Sequence, residues 1–196
     1  MLNRSVEFFD TQFRRQSAAG EYALNPFEGA VLPLLSGRML DYGCGMGNLA
    51  VAAAAKGCEV TALDASPAAI DDLGHRATRL ALRIHARVAD LRDYSISQGY
   101  DCIVSVGLLM FFSPPLARLG LQRIRAAVPP GGLAAVNVLI EGTTFMDMFD
   151  PPDYCLFREE ELQEAFSGWT VEYLKLESFA APGNTVKRFC TIAARR

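Results

Sequence analysis

Apolar positions in this chain fall into short runs separated by stretches of helical spacing. The runs at Arg38–Tyr42, Cys58–Leu63, Arg83–Val88, Asp101–Val106 and Leu133–Ile140 read as strands. Leu133–Ile140 is apolar on both faces, as suits a central strand of a covered sheet. The helix after the first strand, Leu49 to Lys56, ends at Gly57, a usual C-cap. Asp64 stops the second strand, and Ser66-Pro67 then supplies an N-cap and a first-turn proline for a helix to about Leu80. Ser113-Pro114-Pro115 opens a helix to about Val128, which Pro129-Pro130-Gly131-Gly132 ends. Residues 5–35 look helical in pieces, with Phe8, Phe9 and Phe13 on one face and a break at Asn25-Pro26. Alternating strand and helix implies a parallel sheet with helices on both faces. The tail departs from that rhythm. A helix at about Glu159–Phe166 precedes Thr170–Glu177, the turn Pro182-Gly183-Asn184 and Thr185–Ala193. Two strands joined by a turn are antiparallel. The expected fold is α/β, a Rossmann-like, seven-stranded, mostly parallel sheet closed by a C-terminal antiparallel hairpin.

A length of 196 residues predicts one domain. It divides into an N-terminal helical cap (1–36), a ligand-binding half (37–140), a lid or substrate loop (141–157) and the last helix with its hairpin (158–196). Net charge is −3 and the basic residues are scattered, so nucleic-acid binding has no electrostatic support. The five cysteines, at 44, 58, 102, 155 and 190, form no C-x-x-C and are odd in number, which argues against a disulfide framework or a metal site. The N-terminus carries Arg4, Glu7 and Asp10 and lacks an apolar signal stretch, and no apolar run reaches transmembrane length. These features predict a cytoplasmic protein without a membrane partner. Nothing in them sets the oligomeric state.

The chemistry concentrates in L-D-Y-G-C-G-M-G-N-L, Leu40 to Leu49. An apolar strand meets Gly43, Gly45 and Gly47 at alternate positions, and a helix follows at once. Glycine lets a ligand approach the backbone, and the helix N-terminus offers unpaired N–H groups, so a nucleotide-like ligand is expected across this loop, Cys44 included. The dinucleotide spacing is G-x-G-x-x-G; here it is G-x-G-x-G, with Asp41 two residues ahead. A carboxylate there suits a ligand with a cationic or amino-acid end and suits pyrophosphate poorly. Asp64, at the end of the second strand, is placed to accept ribose hydroxyls.

Ser105 to Phe112 stays apolar past the fourth strand, with a glycine inside. Ligands of open α/β sheets sit at the carboxyl ends of strands, so Val106 and Gly107 are candidates to line the ligand. Met110, Phe111 and Phe112 are candidates for a substrate wall. The segment Glu141–Phe157 is long for a loop and too apolar for disorder. Its Phe145, Met146, Met148, Phe149 and Tyr154 read as a lid or a further wall, or alternatively as a crossover packed on the sheet.

The D-x-G-C-G-x-G-N pattern resembles motif I of the class I S-adenosylmethionine-dependent methyltransferases, in which a terminal hairpin is also expected. The resemblance implies S-adenosylmethionine as cofactor, with S-adenosylhomocysteine as product. It assigns Ala65 beside Asp64 to the cofactor, and Asp90 and Leu91, in V-A-D-L, to adenine. A narrower likeness to the tellurite-resistance methyltransferases rests on D-L-R-D-Y, Y-D-C-I-V-S-V-G-L-L-M-F-F, P-P-G-G, F-R-E-E-E-L-Q-E-A-F-S-G-W and R-F-C-T-I-A-A-R-R. That likeness implies a His-Arg pair on the final hairpin. The matching stretch, Glu177-Ser178-Phe179, has no histidine, which counts against tellurite as the substrate.

The expected function is in-line methyl transfer to a small molecule, with a soft or anionic acceptor in view. A neutral acceptor would need a base; His75 and His85 lie away from the expected pocket, leaving Tyr154, Glu141, Asp147 and Asp153. A nicotinamide-dependent (NAD(P)) oxidoreductase and a non-catalytic S-adenosylmethionine-binding protein are the alternatives. Against the first stand the glycine spacing, the hairpin and the lack of a Tyr-x-x-x-Lys pair.

Overall fold

The computed structural model describes residues 4–97, 99–151 and 153–196; residues 1–3 of the expected cap lie outside them. Two helices come first, α1 (Arg4–Ala19) and α2 (Pro26–Val31), followed by a 3₁₀ turn at Leu32–Leu34. Asn25 and Glu28 form a reciprocal capping box at the start of α2, with Pro26 at its first position. The sheet strands are β1 (Arg38–Tyr42), β2 (Glu59–Asp64), β3 (Ile84–Val88), β4 (Cys102–Val106), β5 (Leu133–Leu139), β6 (Thr170–Ala181) and β7 (Thr185–Arg195). Between them stand α3 (Asn48–Ala55), α4 (Pro67–Arg79), α5 (Pro114–Ala127) and α6 (Glu161–Ala165).

The seven strands run in the order β3-β2-β1-β4-β5-β7-β6. The first five are parallel, while β7 pairs antiparallel with both β5 and β6. The hairpin is longer than the sequence pattern indicates, since β6 continues to Ala181 and β7 to Arg195. Pairing with β7 carries β6 through polar and exposed positions where its own alternation fades. Asp64 is the last residue of β2, not the residue beyond it. Every residue of β5 is buried.

Helices cover both faces. On one, α5 and α6 bury Leu121, Ile124 and Leu162 against Leu40, Ile103 and Val136. On the other, α3 and α4 bury Leu49, Ala53 and Leu73 against Met39, Val60 and Val104. A third cluster sits at the carboxyl edge, where Met148, Phe149 and Phe145 of the loop 141–157 meet Met110, Phe27 and Phe189. That loop is pinned. Thr144 and Phe145 donate their N–H groups to the Val186 carbonyl at 2.9 and 3.2 Å, and the Cys155 N–H reaches the Met110 carbonyl at 2.9 Å. Thr143, Thr144 and Phe145 are thereby held beside the start of β7. All five cysteines are free and buried.

Candidate active site

The carboxyl ends of β1, β2, β3 and β4 open into one cavity of about 830 Å³, reached by Asp41, Asp64, Val88 and Val106. The glycine loop is built from backbone bonds across to β2. The N–H groups of Gly43 and Cys44 both donate to the Leu63 carbonyl at 2.9 Å. The Gly45 N–H donates to Asp64 Oδ2 at 2.8 Å, and Asp64 Oδ1 accepts the Ser66 N–H at 2.9 Å. One carboxylate therefore joins the loop to the start of α4. Burial raises the Asp64 pKa, and these backbone bonds pull it part of the way back. Gly45 holds φ +52° beneath the Phe13 ring.

Gly47 is different from its neighbours. It caps α3 with φ +66°, and a Cβ on it would lie 2.5 Å from Leu73 Cδ2. It faces α4 and does not line the cavity. Gly43, Cys44 and Gly45 do, so the expected three-glycine contact reduces to two glycines and a cysteine. The Cys44 thiol is kept protonated by burial and by the carboxylates of Asp41 and Asp64.

Asp41 is only 3% exposed, and its Oδ2 has no hydrogen-bond partner among the described residues. Burial, with Glu28 and Asp64 nearby, pushes its pKa well above the ordinary carboxylate value. Glu28 is raised by burial as well. These three acids bind protons more tightly folded than unfolded. Their contribution to stability is therefore fully present below about pH 4, the unfolded carboxylate pKa, and is lost as pH rises through their folded values. Asp41→Asn is expected to flatten the fall in melting temperature between pH 4 and pH 8 in the ligand-free protein; a slope unchanged from the parent would remove Asp41 from this account.

Asp90 and Leu91 also line the cavity. The Tyr42 hydroxyl donates to the Leu91 carbonyl at 2.5 Å and ties this loop to β1; burial pushes the phenol up to about 12. Asp90 is exposed and engaged by Arg92 at 2.6 Å, which holds its pKa low. Ala65, Val106, Gly107, Met110, Phe111, Phe112 and Met148 complete the expected lining that is present.

Six expected residues stand outside the cavity: Gly47, Glu141, Phe145, Met146, Phe149 and Tyr154. The backbone bonds to Val186 set Phe145 under Lys187, whose Nζ is 4.5 Å from the ring centroid. Tyr154 stacks on Phe149 with centroids 5.1 Å apart. Glu141 is exposed, and Arg188 Nη1 binds its carbonyl at 2.8 Å. Asp147 and Asp153 are likewise not in the lining, and His75 and His85 line a separate groove between α4 and β3.

The unforeseen part is the roof. α1 contributes Phe9, Gln12, Phe13 and Gln16, and the α2 segment contributes Phe27 and Glu28. The Phe8-Phe9-Phe13 stripe was the available signal, since an apolar face needs a partner. Asp10 Oδ1 accepts the Ser66 hydroxyl at 2.5 Å, anchoring α1 to the N-cap of α4. Farther along, Asp72 Oδ1 accepts Ser17 Oγ at 2.6 Å and the Tyr22 hydroxyl at 3.0 Å. Arg76, 6% exposed, binds Asp72 Oδ2 at 2.8 Å, Asn48 Oδ1 at 3.2 Å and the Met46 carbonyl. Its guanidinium lies 4.3 Å from the Tyr22 ring centroid.

Residues 39–132 match the family described as "Methyltransferase domain". Among curated proteins, the chain is 27% identical over 166 residues to the probable S-adenosyl-L-methionine-dependent methyltransferase TehB of Haemophilus influenzae, covering 81% of this chain and 57% of that protein. It is 29% identical over 144 residues to Hemagglutinin 1 of Eikenella corrodens, covering 71% of this chain and 45% of the relative. The chain thus spans about half the length of the curated relatives it matches. The crystal structure of TehB from Haemophilus influenzae superposes with a TM-score of 0.79 at 21% identity, covering 92% of this chain and 65% of that one. No helix among the described residues is long and apolar enough to cross a membrane. The hairpin-terminated sheet, the glycine loop at the end of β1 and the domain match agree: residues 39–132 match the methyltransferase-domain family, and the chain resembles the class I S-adenosylmethionine-dependent methyltransferases of the tellurite-resistance group.

Proposed function

We propose that the chain transfers a methyl group from S-adenosylmethionine to a small molecule. The observation that carries this reading is the continuity of the cavity. It runs from Asp41, Gly45 and Asp64 past Gly107 to a chamber walled by Met110, Phe111 and Met148. Its volume of about 830 Å³ sits high in the roughly 300–1,000 Å³ range of small-molecule sites. Both ends of a two-substrate reaction thus open into one enclosure.

The cofactor supplies the electrophilic methyl group. Asp41, with its unpartnered buried oxygen, suits the ammonium of the cofactor's amino-acid end. The backbone of Gly43, Cys44 and Gly45 would lie along that end. Asp64 and Ala65 would take the ribose. Asp90 and Leu91 would face adenine, with carboxylate lone pairs to spare beyond the bond to Arg92. Val106 and Gly107 stand between cofactor and acceptor. The roof from α1 and α2 and the wall at Met148 exclude water and hold the acceptor in line; such positioning accounts for about 7–11 kcal/mol of barrier reduction in well-oriented systems. Because Glu141 and Tyr154 stand outside the cavity, neither serves as a base in this reading. In the division of labour we propose, residues 4–36 roof the site, 37–140 hold the cofactor, 141–157 wall the acceptor and 158–196 close the sheet. Five free cysteines suit a reducing compartment such as the cytoplasm.

Calorimetry with S-adenosylhomocysteine and with NAD, followed by a labelled-methyl screen over thiols, phenols, amines and chalcogen oxyanions, tests the reading. Binding of NAD in place of S-adenosylhomocysteine would establish the oxidoreductase alternative. Binding without turnover across the screen would favour the non-catalytic one. The wall assignment is tested separately. Met148→Ala is expected to lower turnover several-fold and leave S-adenosylhomocysteine affinity within twofold. Phe145→Ala, outside the cavity, is expected to lower the melting temperature and leave turnover per folded molecule intact. Equal effects of the two substitutions on turnover would remove the distinction.

A further inference from the structure

Among the described residues, the acceptor side of the cavity holds one positive charge, and no carboxylate pairs with it. Lys187 lies on β7 among Phe27, Phe111, Met148 and Phe189 in the lining. Its ammonium has no hydrogen-bond or ion-pair partner among the described residues; it lies over the face of Phe145, 4.5 Å away. The hairpin register explains the isolation. Lys187 pairs with Phe179 and Phe189 pairs with Glu177, so these four side chains share a face of the sheet. Glu177, the nearest carboxylate on that face, is bound to Lys175 at 2.7 Å. The adjacent cation, Arg188, is on the opposite face and pairs with Glu159 at 2.7 Å. Around Lys187 the walls are aromatic: Phe27 and Phe189 have centroids 4.6 Å apart, and Phe179 and Phe189 5.9 Å.

The acids of the cavity have partners of their own: Asp41, Glu28 and Asp64 are coupled to one another, and Asp90 is bound by Arg92. No charged group relieves Lys187, whose pKa is lowered by burial alone. A half-buried cation without a partner loses part of its hydration, and a bound anion offsets that loss. We propose, building on the methyltransferase reading, that the acceptor is a small molecule with an apolar or aromatic body and an anionic group, and that Lys187 Nζ holds that group. The ammonium selects the acceptor by charge, the phenylalanines by shape, and Asp41 stays with the cofactor's cationic end.

The test uses the full chain saturated with S-adenosylhomocysteine, so a failure of cofactor binding is seen first and counts against the methyltransferase reading alone. Shape-matched pairs are then titrated by calorimetry: benzoate with benzamide, cinnamate with cinnamamide, hexanoate with hexanamide. The expected result is at least one pair whose acid binds tenfold or more tightly than its amide. Lys187→Met should erase that preference while leaving S-adenosylhomocysteine affinity within twofold, and Lys187→Arg should retain it. Equal binding of acids and amides, no binding of any acid, or a preference that survives Lys187→Met would overturn the proposal. If Lys187 only covers Phe145, Lys187→Met lowers the melting temperature and leaves the acid-to-amide ratio unchanged, which also overturns it.

Discussion

Replacing Gly45 by Val is expected to weaken S-adenosylhomocysteine binding at least a hundredfold, about 2.8 kcal/mol, with the fold retained. The φ of +52° at this position lies in the left-handed region, where an L-residue pays roughly 1–2 kcal/mol and a β-branched one is strained further. A Cβ there would approach Phe13 to 3.2 Å. The added methyl groups then occupy the gap between the glycine loop and its roof, the space a ligand needs in order to lie along the loop. The strain also disturbs the 2.8 Å bond from the Gly45 N–H to Asp64, so the ribose site is displaced together with the loop. Strain of this size lowers the melting temperature by only about 2–8 °C in a chain of this length. Circular dichroism should therefore report a folded protein that calorimetry finds unable to bind. Parental affinity in the Gly45→Val protein would remove the loop from the cofactor site.

Arg76→Met is expected to be the most destabilising single change in the cluster that ties the cap to α4. Arg76 and Asp72 are nearly buried, with side chains 7% and 15% exposed. Deleting one member of a buried pair leaves the other's charge uncompensated, at a cost of about 3–5 kcal/mol, or roughly 6–20 °C in melting temperature. Asp72 would keep its bonds from Ser17 and Tyr22. The Met46 carbonyl and Asn48 would lose their donor, loosening the loop just after Gly45. Stability and S-adenosylhomocysteine affinity should therefore fall together, although Arg76 is not itself in the cavity lining. Scanning calorimetry with and without the ligand measures both. A melting temperature within about 2 °C of the parent would show that the cluster clamps nothing.

Much of the scaffold was legible because its causes are local. β1, the Ser66-Pro67 start of α4 and the turn at Pro182-Gly183-Asn184 follow from apolar runs, caps and turn residues within a few positions of one another. The same holds for the floor of the candidate site. Strand ends of a parallel sheet share one edge, so Asp41, Asp64, Asp90 and Val106 meet once the strand order is known.

The rest depended on partners distant in the chain. Gly47 looks like Gly43 and Gly45 in sequence, yet it turns toward Leu73 because helix capping, not ligand approach, requires it there. Phe145 and Met148 are three residues apart in one apolar loop, and the backbone bonds to Val186 seat Phe145 beside Lys187, outside the cavity, while Met148 lines it. The aromatic stripe of α1 announced a contact without saying which, until Asp10 on Ser66 and Ser17 on Asp72 set the helix over the glycine loop. Lys187 reads as a surface residue of a hairpin, and its isolation depends on Glu177 being bound to Lys175 and on β7 lying between β5 and β6. The α/β alternation, the terminal hairpin and the glycine loop with its acids are written locally in the chain, because periodicity, capping and backbone conformation act over short stretches. The roof, the wall and the lone cation come from the folded chain, because which face a side chain presents depends on packing and hydrogen bonds from elements far away in the chain.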